Sequence, residues 1–167
     1  HTVVVVIRVA RIAAVRGNGS ASLARLAGAL GCPVVVAPMA KGVLAEDHPL
    51  YAGTLDMACN AFMWKFLAGC DLIVAAGFDA VELIKPWSLE VPTIHVDSTP
   101  NTDQIYPAEV ELVGPVAAIL DALADACAGE ARWTAAEVAA HRDALMAKYY
   151  EGRVAGRLNP TDVIDVV

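Results

Sequence analysis

The stretch Cys59-Asn60-Ala61-Phe62-Met63-Trp64-Lys65-Phe66-Leu67-Ala68-Gly69-Cys70-Asp71-Leu72-Ile73-Val74-Ala75-Ala76-Gly77 decides the fold class. Its first half, Cys59–Leu67, reads as a helix with Phe62, Phe66 and Leu67 on one side, and Gly69 ends it. Its second half, Asp71–Ala76, is a short apolar run closed by Gly77. A strand with one wet face alternates apolar and polar residues; this one does not, so both of its faces are covered, as in a parallel sheet. The same pattern recurs outward in both directions. Thr2–Val9 is a β-branched run and the first strand; Pro33–Ala37 is the second. Between them Ser20–Leu30 places Leu23, Leu26, Ala27 and Leu30 at helical spacing, with Gly31 as a stop. Val91–Val96, entered through Pro92, is a fourth strand. Glu109–Val113 is a fifth, followed by Gly114-Pro115 and the helix Val116–Ala128. Asp47–Gly53 carries the breakers Pro49 and Gly53 and reads as a loop, with a weaker strand signal over Leu50–Leu55. Strands alternating with helices in this way predict an α/β fold: a Rossmann-like three-layer sandwich with a mostly parallel, about six-stranded sheet.

The chain has 167 residues, 57% of them hydrophobic, with 12 Lys+Arg against 19 Asp+Glu and a net charge of -7. That length suits about one domain of ~150 residues. The acidic balance excludes nucleic acid as a partner, since phosphate binding needs a basic footprint. Mean hydropathy is high at +0.51. Yet the apolar runs Thr2–Val9 and Leu72–Phe78 fall far short of the ~20 residues of a spanning helix, so no membrane role is expected. Arg8 interrupts the first run and no small-residue cleavage site follows, which argues against a signal peptide. Cys32, Cys59, Cys70 and Cys127 form no C-x-x-C pair and have no histidine at metal-ligand spacing. They read as small buried hydrophobes in a reducing cytoplasm, with no metal site. Near Gly129 the composition shifts. Glu130–Glu151 is a more charged helical stretch opened by a Thr134-x-x-Glu137 capping box. Gly152–Gly156 breaks it, and Asn159-Pro160-Thr161-Asp162 starts a further helix.

In an open parallel sheet, ligands bind outside the carboxyl ends of the strands. Those ends carry Pro38 to Gly42 after the second strand, Gly77, Phe78 and Asp79 after the third, and Asp97, Ser98 and Thr99 after the fourth. The set suits a nucleotide: Gly77 permits close backbone approach, Asp97 accepts from ribose hydroxyls and Lys41 meets a phosphate. The competing account makes Gly42 and Gly77 turn glycines and Asp97 a cap. The G-x-G-x-x-G fingerprint is absent after the first strand, where the turn reads Arg8-Val9-Ala10-Arg11. His95, inside a strand, reads as a hydrogen-bonded core or edge residue. His48, in Glu46-Asp47-His48-Pro49, reads as a loop-ordering residue, and Asp121 and Asp125 as a solvated helix face.

The run Gly31-Cys32-Pro33-Val34-Val35-Val36-Ala37-Pro38-Met39-Ala40-Lys41-Gly42, followed by Glu46-Asp47-His48-Pro49-Leu50-Tyr51-Ala52-Gly53, resembles the central domain of thiamine diphosphate-dependent enzymes, in the branch of acetolactate synthase-like carboligases and decarboxylases. Ala68–Ala80, Ile94-His95-Val96-Asp97, Tyr106-Pro107 and Val113-Gly114 are similar to that family in the same order. The resemblance spans roughly residues 20–128. It implies an enzyme acting on a 2-oxo acid with thiamine diphosphate and magnesium. It also implies that the thiamine-activating glutamate and the Gly-Asp-Gly…Asn metal motif belong to N- and C-terminal domains that this chain lacks. The expected organisation is a central domain over 1–129, a helical interdomain linker over 130–157 and the start of the C-terminal cofactor domain over 158–167. The chain alone is then inactive, and its share in the enzyme is scaffolding.

In flavin-containing relatives the central domain binds FAD, and the resemblance maps the contacts to Gly77, Asp79 and Asp97. Here the stretch Phe78–Trp87 holds no arginine to clamp a pyrophosphate, which argues against FAD. The alternative is a free-standing nucleotide- or FAD-binding module of the same fold. Phe62, Met63, Trp64 and Phe66 make one helix apolar on more than one face, where packing on a sheet needs a single stripe. That surplus predicts a homo-oligomer, with surfaces around Trp64 meeting neighbouring subunits or domains.

Overall fold

The computed structural model describes residues 3–7, 19–55, 58–78, 83, 86–102, 106–127 and 133–166. Six strands form one sheet: β1 (Val3–Ile7), β2 (Val34–Val36), β3 (Tyr51–Thr54), β4 (Leu72–Ala76), β5 (Thr93–Asp97) and β6 (Val110–Val113). Their order is β3-β2-β1-β4-β5-β6, and every neighbouring pair is parallel. The helices are α1 (Gly19–Leu30), α2 (Asn60–Ala68), α3 (Val116–Ala126), α4 (Ala135–Tyr149) and α5 (Pro160–Ile164).

The inner strands β2 and β4 are unbroken apolar runs because each has two faces to bury. Val34 and Val36 of β2 share one cluster with Val74, Ala76 and Val96, under Leu23, Leu26 and Ala27 of α1 and Val116, Leu120 and Ala124 of α3. Val35, Ile73 and Ala75 point the other way, into Met63, Trp64 and Leu67 of α2 and Leu145 of α4. The result is the expected three-layer sandwich. Gly31 ends α1 as the sequence predicts. At φ 53° it lets the Cys32 N–H reach Ala27 O at 3.0 Å and its own N–H reach Gly28 O at 3.2 Å, the paired bonds of a Schellman stop. Across the top of that layer, Arg25 of α1 pairs with Asp121 at 3.3 Å and with Asp125, while the Ser22 hydroxyl donates to Asp121 at 3.0 Å. The two aspartates are therefore a tie between helices rather than only a solvated face.

The weaker strand signal over Leu50–Leu55 is a real strand, and Asp47–Leu50 ahead of it is loop. β3 contains a bulge: Val34 pairs with Tyr51, but Val35 pairs with Gly53, so the register shifts by one residue. The extra residue puts Tyr51 and Thr54 on the same face, where their hydroxyls meet at 2.8 Å. Residues three apart in a regular strand point to opposite faces. Gly53 sits in this bulge at φ 123°, and a Cβ placed on it would lie 2.8 Å from Leu145 Cδ2 and 3.3 Å from the end of Met63.

α4 lies over β3. Thr134 and Glu137 form the predicted capping box, with Glu137 N–H donating to Thr134 Oγ1 at 3.2 Å and Thr134 N–H to Glu137 Oε2 at 2.8 Å. Val138 and Leu145 are buried beneath the helix. His141 Nε2–H donates to Ala52 O at 2.9 Å and Arg142 to His48 O at 3.1 Å.

The sequence expectation for α2 is corrected. Its inward face is Met63, Trp64 and Leu67, whereas Phe62 and Phe66 lie half-buried toward α4. Trp64 is 4% exposed and meets Trp87 edge-on at 5.8 Å, so the region around it is core and not an outward surface. The helix needs two apolar faces because it is sandwiched between the sheet and a further helix. The cysteines also divide: Cys32 and Cys70 are buried, and burial pushes both thiols up to about 12. Cys59 is half-buried and Cys127 exposed, against the expectation of four buried ones.

Gly53→Ala is expected to destabilise the fold by about 1–3 kcal/mol, the usual cost of a non-glycine residue held at strained backbone angles. Urea unfolding followed by circular dichroism measures it; an unchanged midpoint would show that the bulge relaxes freely.

Candidate functional site

The chain builds outward from β1 to β3 on one side and from β4 to β6 on the other. The direction reverses between β1 and β4, and in such sheets the crevice beyond the carboxyl ends at the reversal is where ligands bind. β4 delivers Gly77 to this point at φ 57°, a left-handed conformation that glycine adopts without a Cβ penalty. The Gly77 N–H donates to Val96 O at 2.8 Å, which ties the turn to β5. Phe78 then turns inward, 2% exposed, with its ring 5.5 Å from Trp87 and 5.6 Å from Tyr106. Asp79 lies outside the described residues, as does the segment 8–18 after β1.

Asp97 ends β5. Its Oδ1 accepts from the Ser98 N–H, from the Ser98 hydroxyl at 3.0 Å and from the Thr99 N–H at 3.4 Å. This is a carboxylate ordering its own turn, the capping account weighed from sequence. Lys41 follows the 3-10 turn Pro38–Ala40 beyond β2, and its Nζ pairs with Glu46 at 2.9 Å. That hydrogen bond, above all, raises the ammonium pKa from its ordinary value. Lys41, Gly77 and Asp97 therefore share the carboxyl edge. β2 and β5 stand three strand spacings apart, however, about 14 Å at ~4.8 Å per spacing. The lysine and the aspartate flank the crevice and do not converge on one atom.

A network not legible from the sequence fixes the turn after β5. His95, 4% exposed, has Nε2 2.9 Å from Thr99 O and Nδ1 2.6 Å from the Tyr106 hydroxyl. A carbonyl can only accept, so Nε2 carries the proton and the phenol donates to Nδ1. Asn101 Nδ2 donates to Tyr106 O at 2.9 Å, and Asn101 N–H to Glu111 Oε2 at 3.0 Å. His95 is thus a tether at the crevice rim, as its place inside a strand suggested. The signal that would have located its partner is Tyr106, a lone aromatic before Pro107. His48 orders its loop, Nδ1 accepting from the Leu50 N–H at 3.1 Å.

An all-parallel sheet in this order, covered by helices on both faces, defines a Rossmann-like three-layer α/β domain. More specifically, the chain belongs to the family of thiamine pyrophosphate enzyme central domains, whose family model matches residues 9–123. It is similar to the probable 2-ketoarginine decarboxylase AruI of Pseudomonas aeruginosa, 33% identical over 116 residues, and to an acetolactate synthase of Mycobacterium avium, 30% identical over 116 residues. Each alignment covers 66% of this chain but only 20% and 19% of the relatives, so the chain spans about a fifth of their length. Among solved structures it resembles a protein from Mycobacterium smegmatis assigned as a thiamin diphosphate-dependent enzyme. The TM-score is 0.59 at 24% identity, over 74% of this chain and 24% of that one. That likeness agrees in fold.

Tyr106→Phe leaves His95 Nδ1 buried without its donor. A loss of about 1–3 kcal/mol of stability is expected, read as a lower midpoint in thermal or urea unfolding; a wild-type midpoint would show that the tether carries no load.

Proposed function

We propose that the chain is the scaffolding central part of a larger thiamine diphosphate-dependent enzyme that acts on a 2-oxo acid, as an acetolactate synthase-like carboligase or as a decarboxylase. The family match over residues 9–123 carries this reading. The relatives support the substrate class, since one is named a synthase and the other a decarboxylase of a 2-oxo acid. When bound, thiamine diphosphate would supply an electron sink for the electron pair left on the carbon that loses carboxylate. The described residues do not fit that cofactor. Among them no three or more His, Cys, Asp or Glu side chains converge as metal ligands, and the Asp97 carboxylate is bound into its own turn. No catalytic step is therefore assigned to them. The reading places thiamine diphosphate, magnesium and the catalytic groups in the N- and C-terminal domains of the parent.

In this reading residues 1–129 form the central domain, 130–157 the connection and 158–167 the first part of the cofactor domain. The Thr134 capping box and the turn glycines Gly152 and Gly156 support boundaries in that region. The parent is a cytoplasmic homo-oligomer; among the described residues no helix is long and apolar enough to cross a membrane. The crevice flanked by Lys41, Gly77 and Asp97 is a vestigial nucleotide cleft.

A second reading, a free-standing nucleotide- or FAD-binding module, draws on one observation: the strand order that opens a crevice beside Gly77. Against it stands the engagement of Asp97 by its own turn.

The coding sequence on either side of the chain is expected to continue into a glutamate-bearing α/β domain and a Gly-Asp-Gly…Asn motif. The chain alone, supplied with thiamine diphosphate and magnesium, should not turn over pyruvate. Turnover, or flanking stop codons without those motifs, would overturn the scaffold reading. Titration with FAD and with ADP should give weak binding or none; sub-micromolar affinity for either would favour the second reading.

A further inference from the structure

Away from the crevice, a groove of about 860 Å³ runs between α2 and α4. Its walls come from helix periodicity. α2 turns Met63, Trp64 and Leu67 into the core, which leaves Phe62, Lys65 and Phe66 on the side toward α4. From the other side come Trp133, His141 and Lys148. The rings make a continuous aromatic wall: Phe66 lies 3.9 Å from His141 and 5.5 Å from Trp133, and Phe62 lies 5.2 Å from His141. The buried Trp133 Nε1–H has no hydrogen-bond acceptor among the described residues. At the rim Lys148 is paired with Glu151 at 2.9 Å, whereas Lys65 is exposed and pairs with no described residue.

We propose that this groove binds a small monocarboxylate with a flat apolar or aromatic body, its ring laid on Phe62, Phe66 and Trp133 and its carboxylate beside Lys65. Charge selects the sign of the ligand. Lys148 and Glu151 cancel, so the Lys65 ammonium is the uncompensated charge among the described lining residues. His141 adds no second cation at neutral pH, because burial lowers its pKa, outweighing its bond to the Ala52 carbonyl. The volume is that of a ligand site of ordinary size, apolar with a few polar groups, the usual character of small-molecule pockets. The aromatic faces supply affinity without sequence or shape demands, and the single cation distinguishes an acid from its neutral analogue. The site is independent of the crevice and of any thiamine chemistry, so its failure would leave the proposed function untouched.

The test uses 3-phenylpropanoate and its amide as probes, titrated calorimetrically into the full chain at pH 7.5. The acid should bind about two- to fivefold more tightly than the amide, the scale of an exposed ion pair. Lys65→Met should erase that difference while leaving the circular dichroism spectrum unchanged, since Lys65 is on the surface. Trp133→Phe should weaken acid and amide together. Equal affinity for acid and amide, an acid preference that survives Lys65→Met, or no heat with either probe would overturn the proposal. So would a dimer that Trp133→Ala dissolves without any binding of the acid, since the groove would then be a contact between copies.

Discussion

A strand in a parallel sheet has two faces and, at the sheet's ends, one bare edge, and everything else in this chain answers to that geometry. The faces are closed by α1 and α3 on one side and by α2 and α4 on the other. The edges are treated differently. On β3, side chains of α4 do what a further strand would do: His141 and Arg142 donate to the carbonyls of Ala52 and His48. A bare edge invites pairing with another chain, and here the Ala52 carbonyl of β3 and the His48 carbonyl just before it are already taken. β6 has no such cover. Val110 and Val113 are each 48% exposed, and the exposed Glu109 and Glu111 stand beside them, charged residues of the kind that discourage edge pairing.

Covering the β3 edge has consequences for the backbone beneath. α4 comes close enough for Leu145 to sit over Gly53, where any Cβ would be in its way. The bulge at that position restores the inward aim of Leu55, which is fully buried, because one inserted residue flips the facing of all that follow. The same helix gives α2 a second apolar neighbour. Phe62, Met63, Trp64 and Phe66 are then not a surplus but the two sides of a helix in the middle of a stack. An apolar stripe wider than one sheet-facing side has two causes, an intermolecular surface or a second internal layer, and burial of Trp64 assigns this one to the second.

How far the sequence could be read follows from the range of each signal. The paired strand faces were legible because apolar runs such as Leu72–Ala76 are local and have few alternatives. So were Gly31 and the Thr134–Glu137 box, whose partners lie within a few residues. The β3 strand was faint because Gly53 is a poor strand former and the bulge breaks its period. The direction of Trp64 was misread because its partner Trp87 lies 23 residues on, and the cover over Phe62 and Phe66 comes from α4, about 70–85 residues later. At the crevice, the positions of Lys41, Gly77 and Asp97 were legible from strand ends. Their partners were not: Glu46 and the Ser98 hydroxyl became visible only in three dimensions. The His95–Tyr106 bond, between residues 11 apart, was beyond any periodicity argument.

Those partners rank the crevice residues by what each could yield to a ligand. The Lys41–Glu46 pair is open to solvent, with side chains 47% and 55% exposed. Such pairs contribute about 0–1 kcal/mol, so a phosphate could take the ammonium from the glutamate at little cost. Asp97 is different. One of its carboxylate oxygens accepts from two backbone N–H groups and a hydroxyl, and the turn it holds is pinned again from behind by His95 at Thr99 O. Recruiting that oxygen to a ribose would compete with three donors of its own turn, all of them on exposed residues where water can replace what they lose. The two flanks of the crevice differ in degree: Lys41 has one exposed partner, whereas Asp97 Oδ1 accepts from three donors of its own turn.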